Sequence, residues 1–243
     1  MRDDVPTRYV GIPPFARKPL RDGRFDRPFF MSHQTPKRPR RNSGLTARQR
    51  TCILVTSLYV AGKRDRVQRL LETGIRRLPV SFLTELFVHL SLLLGFPAML
   101  HGLGQVAALN LRKISGRSRV GNTSAEGLRV FKKIYGGQAG RVLTNMKKLH
   151  PNLPRWILRD TYGRVFTRPG LSLAERELVN VVALALQGFE KQLHSHLRGA
   201  LRTGMSPAAL RKSLRLASST AGANTSRAEF LLAHMEEVLF SDS

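Results

Sequence analysis

The 243-residue sequence predicts an all-α protein. Helix-forming residues dominate after residue 45, where strand-like alternation of apolar and polar residues is hard to find. Two capping boxes, Thr46 with Gln49 and Ser172 with Glu175, each open onto an apolar run. Gly62 and Gly188 follow those runs as breaks.

Residues 1–44 read as a disordered basic tail. They carry eleven Lys/Arg against four Asp, and seven of the chain's prolines, with little periodicity. Met31 stands as a second possible start, so residues 1–30 are open as a part of the native protein. Residues 45–113 read as a first helical unit. Within it, ELFVHLSLLLGFPAML at 85–100 is an apolar helix that Pro97 breaks or restarts. His89, four residues after Glu85, is expected to pair with it on one helix face.

Residues 114–125 are a polar, Gly-containing linker, and 126–243 form a second unit. Ser124 starts a helix to about Tyr135, which Gly136-Gly137 stops. Further helices are expected over about 138–149 and 155–161. Ser172 then caps a helix that is apolar nearly all round from Leu178 to Leu186, too short for a bilayer and so a core helix. Leu193, Leu197 and Leu201 recur every four residues on the returning helix, with Gly204 as its C-cap. Ser206-Pro207 opens another helix, and an amphipathic one over about 227–240 ends the chain.

The hairpin 162–204 holds the most compact set of reactive groups. Glu177 lies eleven residues before Gly188, and His196 lies eight after it. At a rise of ~1.5 Å per residue their heights above the turn differ by about 4–5 Å. Antiparallel packing at ~8–10 Å then lets the two side chains meet, directly or through one water. The alternative is a solvated His196 and a surface Glu177 paired with Arg176 or Lys191.

RPGLSLAEREL at 168–178 and QLHSHLRGAL at 192–201 resemble the carboxymuconolactone decarboxylase family, which also contains alkylhydroperoxidase-D-type peroxidases. The peroxidase branch carries a Cys-x-x-Cys that ends four residues before its His. Here Phe189 and Gln192 stand in those places, and Gln192 followed by His196 is the decarboxylase pattern. The resemblance implies a fold of two alkylhydroperoxidase-D-like helical repeats. A shift of 126 lays Leu45 on Leu171, Arg50 on Arg176, Leu58 on Leu184 and Gly62 on Gly188, but Thr51 on Glu177 and Leu70 on His196. The first repeat would keep the scaffold and lose the chemistry.

The resemblance further implies a carboxy-lyase that needs no cofactor and acts on a small carboxylated lactone or related anionic acid. In that scheme Glu177 and His196 are catalytic, with His196 the proton donor and Glu177 orienting it. Arg168 and Arg176 hold the substrate carboxylate, unless either pairs structurally with Glu175, and Tyr162 and Gln192 line the site. Two rivals stay open: a hydroperoxide-reducing member, and a non-catalytic polyanion-binding scaffold. Single-repeat relatives form rings, so a homo-oligomer, as a trimer, is expected by analogy.

Composition bounds the rest. The net charge of +25 favours anionic partners, and KRPRR at 37–41 allows weak nonspecific nucleic-acid contact through 1–44. The single cysteine, Cys52, excludes a disulfide framework and suits a cytoplasmic protein. It lies in an apolar run and is expected to be buried and inert. The seven histidines show no metal-ligand spacing, so no metal site is expected. The most apolar window, 80–100, carries Glu85, His89 and Pro97, which argues against a membrane span.

Overall fold

A computed structural model describes residues 44–73, 78–109 and 124–222, together with 230, 233, 235 and 236. Among them the regular elements are all helical. In order they are α1 (Ala47–Val60), α2 (Arg64–Thr73), α3 (Val80–Ala107), α4 (Ser124–Tyr135), a 3-10 turn (Gly136–Gln138), α5 (Ala139–Leu149), α6 (Leu153–Trp156), a π-helical segment (Ile157–Gly163), α7 (Leu173–Gln187), α8 (Glu190–Arg202) and α9 (Pro207–Ala221). The expected tail before Gly44 and most of the expected linker lie outside the described residues. Ser124 and Ala125, assigned to the linker from the sequence, are the first residues of α4.

α7 is the central rod. Residues 175–185 along it are all buried, and α1, α3, α8 and α9 pack around it. Val179, Val181 and Val182 are fully out of water. Burial of each such side chain is worth roughly 1.5–3 kcal/mol. Both capping boxes form as the sequence predicts. Thr46 accepts from the Gln49 amide and Ser172 from the Glu175 amide, with the reciprocal side-chain bonds also made. Gly188 ends α7 at φ 82°, a left-handed conformation that a side chain resists.

Arg48 ties the two halves together. Its guanidinium binds both oxygens of Glu175, at 2.6 and 2.9 Å, and the Gly170 carbonyl, and it lies 4.2 Å over the Phe82 ring. One apolar cluster therefore runs from Cys52 on α1 to Leu214 on α9 and to Met235. A second, smaller cluster gathers Phe131, Ile134, Tyr135, Tyr162 and Phe166. It joins α4 to the π-helical segment.

α3 is two helices meeting at a kink. Gly95 has φ 79° and ψ 174°, and Pro97 follows it, as the sequence reading of Gly-Phe-Pro anticipates. By length and hydropathy α3 is capable of crossing a membrane. Its first half is instead built into the core, with Phe82, Leu86, Phe87 and Leu90 buried, whereas Phe96 and Leu100 beyond the kink are exposed. Of the expected last helix, Met235 is buried, Glu236 meets Arg211 at 3.4 Å, and Phe230 keeps 42% exposure. The rest of that helix lies outside the described residues.

Candidate active site

The hairpin of α7 and α8 brings Glu177 and His196 into contact. His196 Nδ1 lies 2.9 Å from Glu177 Oε2. The carboxyl is fully buried, and the imidazole edge keeps 15% exposure. The direct pair is thus realised, and the surface alternative for Glu177 is not. Close packing allows it. Gly199, one turn along α8, has no side chain, and a Cβ there would fall 2.4 Å from Glu177 Oε2.

Asn180 joins the pair. Its Nδ2 is 3.3 Å from Glu177 Oε1 and 3.2 Å from His196 Nδ1, and its Oδ1 is 2.9 Å from His89 Nε2. His89 Nδ1 in turn lies 3.4 Å from Arg176 Nη1. Chemistry fixes the direction of this chain. Arginine only donates, so His89 Nδ1 accepts and His89 Nε2 donates to Asn180 Oδ1. The Asn180 amide nitrogen then faces Glu177 and donates to Oε1. His196 Nδ1 has two neighbours, and the shorter contact, to a carboxylate, is the hydrogen bond. Nδ1–H therefore donates to Glu177 Oε2, and Nε2 is left for a substrate. Burial, then the Arg176 charge, pushes His89 down to about 3, so it is neutral and keeps this one-way arrangement.

The pair opens onto a cavity of about 300 Å³ at the seam of the two apolar clusters. Leu92, Leu93, Met146, Ile157, Phe166 and Leu184 form its apolar walls. Tyr135, Thr161, Tyr162, Asn180, Gln192 and His196 supply its polar groups. Tyr162 donates to the Tyr135 hydroxyl at 3.2 Å, which leaves the Tyr135 proton for another acceptor. Burial raises Tyr135 to about 12 and also pushes Tyr162 well up, so both stay neutral donors.

The sequence-assigned residues thus divide. Tyr162, Gln192 and His196 line the cavity, and Glu177 stands behind His196. Arg168 and Arg176 are not among the lining residues. Arg168 holds Glu85 in a bidentate pair at 2.7 and 2.7 Å. Arg176 is fully buried, donates to the Arg168 carbonyl at 2.8 Å and lies 3.9 Å from Glu85. Its burial lowers it to about 10. Both guanidiniums are thus engaged with Glu85, on α3, and not with Glu175, which Arg48 takes. The expected Glu85–His89 pair does not form, because Arg168, before the start of α7, takes Glu85, and Asn180 on α7 takes His89. Sequence reasoning missed Asn180, His89 and Tyr135. Asn180 had a signal: it is a polar residue inside an apolar buried run, and such a group must find partners.

Cys52 is fully buried in α1 and is not among the lining residues, and burial pushes its thiol up. That is the reverse of what a reactive thiolate needs. Among the described residues no cluster of His, Cys, Asp or Glu is fit to hold a metal ion.

A carboxylate-braced histidine at an apolar pocket of an all-helical fold is an arrangement with the chemistry to pass a proton. The sequence profile of the Carboxymuconolactone decarboxylase family matches residues 151–234. A 4-carboxymuconolactone decarboxylase of Acinetobacter baylyi is 31% identical over 118 residues, which cover 48% of this chain and 86% of that protein. Peroxisomal protein 2 of Saccharomyces cerevisiae is 36% identical over 84 residues, and its Schizosaccharomyces pombe namesake 34%. Those matches span 30% and 39% of the two yeast proteins. The chain belongs to the carboxymuconolactone decarboxylase family.

Proposed function

We propose that this chain is a decarboxylase of small carboxylated lactones or related acids, with residues 126–243 carrying the chemistry and 45–113 a degenerate copy of the same unit. The observation that carries this is the 2.9 Å His196–Glu177 contact at the cavity wall. In the reaction the bond between the carboxylate and its carbon breaks and carbon dioxide leaves. The electron pair moves into a conjugated carbonyl, giving an enolate. Tyr135, whose proton is not consumed by Tyr162, donates to that developing oxyanion. With a proton on both ring nitrogens, His196 then delivers the Nε2 proton to carbon and regains it from water, and the enone or lactone product remains. Glu177 holds the ring and stabilises the imidazolium, and Asn180 positions Glu177. No cofactor is required by this sequence of steps.

The test is turnover of 4-carboxymuconolactone, followed as loss of substrate absorbance. The wild-type chain should turn over, and Glu177→Gln should lose about 10–100-fold in kcat with its fold intact. A wild-type rate at background ends the reading. So does an unaltered kcat when Gly199→Ala forces the Glu177 carboxylate from its place.

A further inference from the structure

The reactive pair and its brace come from different parts of the chain. Glu177, Asn180 and His196 lie on α7 and α8, whereas His89 lies on α3. That helix belongs to residues 45–113, where Thr51 and Leu70 stand at the places of Glu177 and His196. His89 and Arg176 are fully buried, and neither is among the residues that line the cavity. Burying two such polar groups is costly unless each is well satisfied, so their presence behind the site needs an account.

Each link leaves the next one way to point. Arg176 is held by the Arg168 carbonyl at 2.8 Å and by Glu85 at 3.9 Å, and its Nη1 faces His89 Nδ1 at 3.4 Å. A guanidinium offers only protons, so a proton on His89 Nδ1 would meet another one. The His89 proton sits on Nε2 instead, 2.9 Å from the Asn180 oxygen. The Phe166 ring packs edge-on against the imidazole at 5.0 Å and limits its rotation. Asn180 is thereby fixed with its NH2 towards Glu177 and His196. Turned over, the amide would set its oxygen against Glu177 Oε1, acceptor to acceptor. That oxygen would also compete with Glu177 for the His196 Nδ1 proton, at the 3.2 Å the amide nitrogen now occupies. The ring of His196 would then lose its single arrangement.

We infer that His89, oriented by Arg176, is a positioning residue for the proton transfer: from α3 it fixes the Asn180 amide, and through it the tautomer that His196 presents to the cavity. This deepens the decarboxylase reading and rests on it for its kinetic part. It also gives residues 45–113 a share in the chemistry, because the half without a reactive pair supplies the group that orients the pair in the other half. Substrate contacts do not pass through this chain of bonds, so its loss lowers kcat and leaves KM in place.

The experiment uses the full chain. Nitrogen-15 spectra of the wild type, recorded at about pH 9, above the ordinary imidazole range, should show His89 protonated at Nε2 and His196 at Nδ1. His89→Leu removes both links. It should lower kcat for 4-carboxymuconolactone about tenfold, keep KM within about twofold and show both tautomers of His196. His89→Gln keeps an acceptor for Arg176 and a donor for Asn180, so kcat and the single tautomer should both return. Thr84→Ala, on the same helix with its hydroxyl bound to the Val80 carbonyl, should change neither. A kcat within about twofold of wild type in His89→Leu, or a tenfold loss in His89→Gln, overturns the proposal. So does a wild-type His89 protonated at Nδ1, which decides the matter even where His89→Leu fails to fold. If no form turns over the lactone, but His89→Leu mixes the His196 tautomers and His89→Gln does not, the positioning stands and the proposed reaction falls.

Discussion

α1 and α7 begin alike and end in different chemistry. Each starts at a capping box, each runs buried into the core, and each stops at a glycine with positive φ, Gly62 or Gly188. At the fifth residue of α1, Thr51 turns its hydroxyl back to the Ala47 carbonyl at 2.9 Å. At the matching place α7 carries Glu177, bound to His196. Arg50 is exposed where Arg176 is fully buried. Gln49 serves only its own cap and a Met205 sulfur contact, whereas Glu175 caps α7 and also takes Arg48. The same local recipe thus builds a plain core helix once and a polar, reactive one once. What differs is the neighbour: α7 sits between α3 and α8, both of which bring polar side chains to it.

The sharpest way to break that contrast is to make the second hairpin chemically like the first. His196→Leu, the residue at the shifted position 70, should lower lactone turnover by about 10²–10⁴-fold with helicity retained. Thr51→Ala should leave turnover unchanged. An active His196→Leu protein would mean that the difference between the hairpins is not catalytic.

The arginines give the next largest effect. Arg176→Ala strands a buried network and should cost roughly 3–5 kcal/mol in urea unfolding. Arg50→Ala, on the exposed counterpart, should stay within about 0.5 kcal/mol.

Acid should then find the second region first. His89 is neutral when folded, with its affinity for protons lowered to about 3, and it regains ordinary behaviour near 6.5 when unfolded. Between those values the unfolded chain binds the extra proton, so stability falls as pH falls through this window. By pH 5 the loss is ~2 kcal/mol relative to pH 7. Glu175 is also held below its ordinary range; burial opposes this, but Arg48 and Ser172 outweigh it. Its contribution is lost only at lower pH, below the ordinary carboxylate value. Equilibrium unfolding at pH 7, 6 and 5 should show the slope in wild type and a flatter one in His89→Gln.

The caps carry the smallest difference. Thr46→Ala should cost ~1 kcal/mol, and Ser172→Ala somewhat more, because Ser172 also positions the Glu175 that Arg48 grips. Thermal midpoints of the two variants, measured side by side, check this order.

Much of this was written locally. Capping boxes, apolar periodicity and glycine breaks act within a turn or two of helix, so they fixed α1, α7, α8 and the Gly95–Pro97 kink from the residues alone. Even the Glu177–His196 contact was legible, since a short turn and a constant rise per residue set the register of a hairpin. Tertiary structure decided the rest. Arg168 and Arg176 went to Glu85, 83 and 91 positions away, because a buried carboxylate takes whichever cations packing brings. His89 and Asn180 became the brace of the site. Pairings of that kind depend on how separate helices cross, and no short-range rule of spacing encodes a crossing.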